Sequence, residues 1–412
     1  MPMPWGPAAV TRRAIAHWLV LAAAALTTLV AATVAAALAV FAGQALPQVM
    51  HYDLGRAQGT SLTLTALVNG PGQAAAEGAA LRSRIAKAMP GIPFAYDAAL
   101  WSDPLGLVRG ALPATPSGAS RGDTPLLQST ALNAVASHAT LVAGQWPTAP
   151  AGRQPIPAAL PATAAALLHV SVGDVLRLRD RISATTVVFD LTGTFEPRAA
   201  DPYWQLSYIP ATGAAPGSGS NTYGPLVVSQ AAFGPTLPAL SGSWVAQPDL
   251  TAFTEADLGP ASANVAALAQ ALPNVASLHG AQLVTGLPAV LAGAAGNVTV
   301  ARSTLAISAL ELLALAVAAL LAVSRLLAEQ REAETALFTA RGATLAQLGW
   351  LAAAEAIPLA ALAAVAGGLA GIRLAAMLAA AGPVGAAGVR LTGAAGTLPD
   401  ALAAAAVVAV IA

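Results

Sequence analysis

Long apolar runs alternate with polar stretches along this chain, and their lengths predict membrane-spanning helices. Three runs carry at most one charged residue each, Trp18–Phe41, Leu305–Val323 and Trp350–Ile372, and a fourth occupies residues 398–412. A helix needs about 20 apolar residues to cross the hydrocarbon core of a bilayer. The pattern therefore predicts an α-helical transmembrane bundle of four spans. Because the fourth run is too short to complete a crossing, we expect that span to be truncated and the sequence to be the N-terminal fragment of a longer protein.

Residues 44–300, between the first two predicted spans, follow a different pattern. Proline, glycine, serine and threonine become frequent, and short segments alternate between apolar and polar positions, as strands with one buried face do. These segments are Ser61–Val68, Thr186–Phe195 and Gly224–Ser229. Two stretches with helical spacing flank them, Ala74–Met89 and Ala261–Leu272. We therefore expect a large α+β domain here.

A charged segment, residues 325–347, separates the second predicted span from the third. Its apolar positions recur every three or four residues, which predicts a short helix. Two interpretations fit a charged helix held between two spans. It is either a solvated connector or a docking element for a partner beside the membrane.

The arginines predict the topology. Arg12 and Arg13 precede the first span and favour a cytoplasmic N-terminus, residues 1–17. The first span would then export residues 44–300, and the second would return the chain so that the charged segment is cytoplasmic. Residues 373–397 would form an extracellular loop. We expect a multi-pass protein of the bacterial plasma membrane.

Composition supports a membrane protein and excludes several other classes. Of 412 residues, 56% are hydrophobic and only 9% are charged, whereas soluble domains carry about 25% charged residues. A net charge of zero argues against nucleic-acid binding. The chain has no cysteine and only scattered histidines, so we expect no metal site. The single lysine, Lys87, is not part of a phosphate-binding loop, which predicts that any ATP is bound by another subunit.

The order of these segments, together with several local motifs, resembles the FtsX-like/MacB-type permeases of ABC transporters. Residues 331–344 match that family's R-x-x-E-x-A-L-x-x-A-x-G-A-[ST] segment. Arg341-Gly342 stands where the family more often has Leu-Gly, a variant associated with actinobacterial members. In the predicted domain, Gly144-Gln145-Trp146-Pro147 and Val172-Gly173-Asp174-Val175-Leu176 resemble the family's G-x-W-P and V-G-D-x-L motifs.

The resemblance implies a permease subunit without catalytic residues, cofactor or metal of its own. The charged helix would dock on a separate cytosolic ABC ATPase, which binds the ATP. The predicted coupling residues are Arg325, Glu329, Arg331, Glu332, Glu334, Leu337, Arg341 and Gly342. Further expected partners are membrane lipid and a second permease unit, in a dimer or in a pseudo-dimer with a second FtsX-like unit. The predicted FtsX-like domain spans about 305–412.

Four residues inside the predicted spans are candidates for a special role. Glu311 and Glu355 are intramembrane carboxylates, which are costly in lipid and tend to face a bundle interior, a cavity or a partner. The alternative is that they reach toward the lipid headgroups or are protonated. Gly367 and Gly371 form a G-x-x-x-G pair, which favours close helix packing.

The function that follows from these features is coupling of ATP hydrolysis to movement of an extracytoplasmic domain. Export, extraction of lipoprotein or lipid, and mechanical signalling are all compatible with it. The alternative is a membrane-anchored extracellular sensor or scaffold without an ATPase partner. A membrane-tethered hydrolase is disfavoured, because no acid–base or nucleophile cluster is evident in residues 44–300.

Overall fold

The computed structural model describes residues 18–108, 116, 124–152, 154–181, 183–198, 200–210, 212–216, 220–234, 237–275, 278, 280–330, 332–340, 344–381 and 394–411. They belong to two compact units. One unit comprises residues 1–55 and 294–412, and the other comprises residues 56–293.

The first unit is helical, and the second combines helices with strands. In chain order, the helices are α1 (Trp18–Val40), α2 (Leu46–Arg56), α3 (Pro71–Ala88), α4 (Val135–His138), α5 (Ala162–Leu168), α6 (Glu255–Ala271), α7 (Leu287–Gln330), α8 (Glu332–Ala340), α9 (Leu345–Ala381) and α10 (Ala394–Ile411). A π-helical turn, Phe41–Ala45, joins α1 to α2.

Within the described residues, three helical segments are long and apolar enough to cross a membrane: Ala22–Arg56, Leu287–Gln330 and Ala356–Ala380. This agrees with a membrane protein, but the predicted bundle of four spans is wrong. The helix at the fourth position, α10, carries Pro399 and Asp400 in its first half. α10 is not among the three segments that are long and apolar enough to cross.

Small side chains hold the helices of the first unit together. α1 packs against both α9 and α10, which also contact each other. The buried positions between them are mostly alanine, including Ala32, Ala36, Ala364, Ala401 and Ala405. Lipid tails are as apolar as leucine, so helices in a bilayer associate through close packing of such small residues. α7 borders α1 and α10 across an apolar groove of about 540 Å³.

The second unit is built around β-strands. In chain order they are β1 (Leu62–Leu67), β2 (Phe94–Trp101), β3 (Leu105–Leu107), β4 (Leu126–Leu132), β5 (Ala139–Gly144), β6 (Ile156–Pro161), β7 (Val175–Arg179), β8 (Thr186–Pro197), β9 (Ala214–Ala215), β10 (Thr222–Val228), β11 (Ser241–Pro248) and β12 (Gln282–Val284).

Six of these described strands close into a barrel, in the order β4-β3-β7-β8-β6-β10 and back to β4. The closing pair, β4 with β10, is parallel and brings Leu126 beside Thr222 and Thr130 beside Val227. β2, β11, β1 and β12 extend the sheet outward from β4, while β5 adds to β8 and β9 to β10. The predicted α+β domain is therefore wrong. A closed six-stranded barrel with additional strands makes up a major part of the structure.

Aromatic residues fill the core where the extended sheet meets the barrel. Trp101, Phe195, Tyr203 and Trp204 are buried together, and the Tyr203 hydroxyl donates a hydrogen bond to the carbonyl oxygen of Asn133. Burial raises the pKa of the Tyr203 phenol far above its usual value, so the ring stays neutral. His138 stacks on the Tyr203 ring with 3.8 Å between centroids, and its Nδ1 lies 2.6 Å from the Asp201 carboxylate. The cluster fixes the chain that follows β8 against β2 and β4.

The two domain motifs have local structural explanations. Gly144 ends β5 with a φ of +75°, and a Cβ there would overlap the carbonyl oxygen of Thr192 on β8. The resulting turn lets Trp146 pack on Phe195, with 5.4 Å between ring centroids. Gly173, with a φ of +98°, turns the chain between α5 and β7, and Asp174 accepts a hydrogen bond from the Ser171 amide at 2.8 Å. Both motifs therefore mark tight turns of the strand-rich domain.

Candidate functional site

The charged segment is divided among three helices. The residues up to Gln330 continue α7, Glu332–Ala340 form the separate helix α8, and Leu345 begins α9. α8 is a short helix joined at each end by a brief connection to a much longer, more apolar one. Its described side chains are mainly exposed: Glu332 faces outward, and Leu337 is 61% exposed.

The predicted coupling residues lie along this connection. Arg325 and Glu329 are exposed in the last turns of α7. Glu332 and Leu337 are exposed on α8, and Glu334 lies on the same helix. Arg331, Arg341 and Gly342 lie outside the described residues. The structure thus presents both charged and apolar side chains of this segment on the surface of the chain.

One uninterrupted helix leads from the domain to this segment. The first turns of α7 are anchored in the domain, because Leu287 and Leu291 are fully buried and the Ser262 hydroxyl donates a hydrogen bond to the Pro288 carbonyl at 2.8 Å. From there α7 runs for 44 residues to Gln330. At 1.5 Å per residue the helix is roughly 66 Å long, more than twice the thickness of a bilayer core.

The domain end of α7 was missed by sequence reasoning, which assigned all residues up to 300 to the α+β domain. The signal was present. Leu287, Leu291 and Val298 are buried and recur at the spacing of one helix face. Glycine and asparagine between them weakened the pattern, because these residues are poorer helix formers than alanine or leucine.

The two predicted intramembrane carboxylates lie on different helices. Glu311 is on α7, where it is exposed on the surface of the chain. Glu355 is on α9, one turn before Pro358. The Glu311 side chain is therefore on the outer surface of the helical unit and not in the packed core of α1, α9 and α10.

The two predicted packing glycines lie against α1. A Cβ on Gly367 would come within 2.7 Å of both the Ala32 Cβ and the Leu29 carbonyl oxygen. A Cβ on Gly371 would lie 2.5 Å from the Thr33 carbonyl oxygen and 2.7 Å from the Ala36 Cβ. Real Cβ atoms do not approach other atoms this closely, so α9 reaches its distance from α1 only with glycine at both positions.

Comparison with known proteins gives no family for this chain. The sequence matches no protein-family model, and no curated protein is significantly similar to it. The residues and their geometry are therefore the basis for a function.

Proposed function

We propose that this chain is the membrane-spanning permease subunit of an ABC transporter of the FtsX-like/MacB type. Its role is to couple ATP hydrolysis by a separate ATPase subunit to movement of the strand-rich domain. The observation that carries the proposal is the continuity of α7. The same helix is anchored by Leu287 and Leu291 in the domain core and ends at Gln330, directly before the exposed charged helix α8.

The proposed topology follows the charges. The N-terminus and α8 lie in the cytoplasm of a bacterial cell, and the strand-rich domain lies outside the plasma membrane. Arg325 then falls on the cytoplasmic side of its span, as the positive-inside rule favours. In this orientation α8 is available to a cytosolic ATPase, with Leu337 as an apolar anchor and Glu332 as a charged contact.

In the proposed mechanism, α8 and α7 transmit a displacement as rigid helices. ATP binding would draw the ATPase subunits together and displace α8 with them. An intact helix resists bending over its length, so a displacement at Gln330 would be transmitted along α7 to its buried first turn. This chain performs no covalent chemistry in the process. Its contribution is to convert a movement in the cytoplasm into a movement of the domain.

Co-purification tests the docking step. The chain would be purified in detergent with a candidate ABC ATPase from the same organism, and compared with a variant in which Glu332–Ala340 is replaced by a glycine–serine linker of equal length. We expect the intact chain to retain the ATPase and the variant to lose it, because α8 supplies the contact. Retention by the variant would place the contact elsewhere.

A proline at Ser303 tests the transmission step. Ser303 is exposed on α7, and its hydroxyl bonds back to the Thr299 carbonyl at 2.9 Å. Ser303→Pro removes a backbone hydrogen bond and kinks the helix, at a cost of about 3 kcal/mol or more. We expect this variant to bind the ATPase normally while its domain no longer responds to ATP, whereas Ser303→Ala should behave as the unmodified chain does.

The response is measurable because the chain has no cysteine. Val284, which is 69% exposed in the domain, can be changed to a single cysteine and labelled with an environment-sensitive fluorophore. An ATP-dependent change in fluorescence that survives Ser303→Pro would contradict transmission through α7.

The sensor alternative predicts a different result in the same assay. A membrane-anchored sensor would bind no ATPase even as the intact chain. In that case the fluorophore at Val284 would respond to a ligand of the domain and not to ATP.

A further inference from the structure

A half-enclosed pocket of about 560 Å³ lies in the strand-rich domain, and its described lining residues include none of the proposed coupling residues. α3 forms one wall, the ends of β2, β4 and β10 form the floor, and the chain after β5 closes one side. Its volume falls within the range of about 300–1,000 Å³ that is usual for small-molecule sites.

The described residues that line the pocket are predominantly apolar. Most of them are alanine, leucine or valine, and three are aromatic: Tyr96, Trp146 and Trp244, of which Trp244 is almost fully buried. Trp146 is brought there by the turn at Gly144 and remains half-exposed. Surfaces of this kind bind a flat or cyclic apolar body by dispersion and by release of water.

Gly78 in α3 determines how closely this wall of the pocket lies to Trp244 on β11. Ala75, Gly78, Ala79 and Arg82 follow one another at three- and four-residue spacing, so they share one helix face. A Cβ on Gly78 would lie 2.6 Å from the Trp244 indole nitrogen. Glycine therefore allows α3 to lie directly on the Trp244 ring, which it covers, and the small side chains of Ala75 and Ala79 leave the pocket open beside it.

Arg82 is the one ionisable cation among the described lining residues, which include no carboxylate. Its guanidinium carbon lies 5.8 Å from the centroid of the Tyr96 ring. The Tyr96 hydroxyl is fixed by donating to the Gly78 carbonyl at 2.8 Å. Burial raises the pKa of this phenol well above its usual value, against the smaller lowering effect of Arg82, so the tyrosine is neutral and does not offset the arginine.

The nearest acidic side chain on the same strand does not neutralise the pocket. Asp97 lies on β2 but is not among the described lining residues of the pocket. Its carboxylate accepts a hydrogen bond from the Asn133 side chain at 3.1 Å and is nine-tenths buried. The pocket therefore combines an apolar, aromatic interior with a net positive group on its α3 wall.

We propose that this pocket binds a small amphipathic organic anion, with its aromatic or cyclic body against the half-exposed Trp146 and its anionic group on Arg82. A guanidinium is charged at all physiological pH values and forms paired hydrogen bonds with carboxylate, sulfonate or phosphate oxygens. This binding is independent of the coupling function proposed above, since neither the pocket nor its test involves α8 or an ATPase.

Three probes of equal size test the charge requirement. Naphthalene-2-sulfonate, 2-naphthalenemethanol and 2-naphthylmethylammonium would be titrated calorimetrically into the full chain in zwitterionic lipid nanodiscs, with empty nanodiscs as the blank. We expect the sulfonate to bind at least about tenfold more tightly than the neutral probe, as a charge-assisted hydrogen bond allows. The cationic probe should bind most weakly.

Paired substitutions on α3 locate the binding. Arg82→Gln should reduce sulfonate affinity about tenfold, to the level of the neutral probe, while Arg84→Gln, two residues along the same helix, should not. Ala79→Trp and, separately, Ala75→Trp should abolish binding of every probe by filling the pocket. Both alanines are exposed, so neither change disrupts the core, and Ala80→Trp is the matched control outside the lining.

Several results would overturn the proposal. These are failure of the sulfonate to bind, equal affinity for all three probes, unchanged binding in Arg82→Gln, or unchanged binding in both tryptophan variants. Loss of binding in Ala80→Trp or Arg84→Gln to the same extent would also overturn it, because the effect would not be specific to the pocket. None of these results bears on co-purification with an ATPase, so the two proposals can fail separately.

Discussion

Replacing Gly371 by isoleucine is expected to force α9 away from α1 and to destabilise the helical unit by about 3 kcal/mol or more, at the upper end for overpacked sites. Even the first added carbon would lie 2.5 Å from the Thr33 carbonyl oxygen. That oxygen belongs to the α1 backbone and cannot turn aside. The measurement is the midpoint of thermal aggregation of the purified chain in detergent, which should fall sharply.

The neighbouring glycine provides the control. A Cβ on Gly368 would meet the Ala405 Cβ at 3.5 Å, an ordinary contact. Gly368→Ala should therefore be neutral or stabilising, by up to about 1 kcal/mol, since alanine favours a helix more than glycine does. Gly367→Ala, with Ala32 at 2.7 Å, should destabilise. Equal behaviour of the alanine variants at 367, 368 and 371 would contradict the close packing of α1 and α9.

Leu337→Asp is expected to weaken binding of the ATPase by about 30-fold or more, the loss of about 2 kcal/mol that defines a binding hot spot. The Leu337 side chain is 61% exposed on a short helix that also carries the exposed Glu332, and an exposed leucine there is explained if a partner covers it. The measurement is the dissociation constant of the chain and the proposed ATPase partner, together with the rate of ATP hydrolysis by that partner.

Thr339→Asp is the matched control for this change. Two positions along a helix are separated by about 200°, so Thr339 lies on the opposite side of α8 from Leu337. The same negative charge added there should leave binding within about threefold of the original, as for a substitution at the rim of an interface. If Thr339→Asp weakens binding as much as Leu337→Asp does, the effect is one of net charge, and Leu337 is not an anchor.

The pattern of apolar residues predicted correctly those features that depend only on residues close together in the sequence. The apolar runs around 18–41, 305–323 and 350–372 lie in helices of spanning length. The prediction of a fourth span at residues 398–412 was wrong, because α10 is not among the described segments that are long and apolar enough to cross.

In the strand-rich domain, the sequence pattern predicted where strands lie but not which strands pair. Strands were predicted around 61–68, 186–195 and 224–229, and strands lie at all three places. Their pairing was not predictable, because Leu126 pairs with Thr222 across a separation of many residues and nothing in either segment specifies the other. The same holds for the pocket, whose walls come from α3, β2, β4, β10 and β11 and meet only in the folded domain.

By itself, the sequence determined that this is a membrane protein, where its apolar helices lie, and that a charged segment separates two of them. These properties depend on composition and on the spacing of apolar residues along one helix, and both are visible within a short segment of the sequence. Only the tertiary structure decided that the strands close into a barrel, that Gly367 and Gly371 face α1, and that Leu287 and Leu291 anchor α7 in the domain core. Such features depend on contacts between segments that are far apart in the sequence. The residues of one segment alone do not specify which distant segment it contacts.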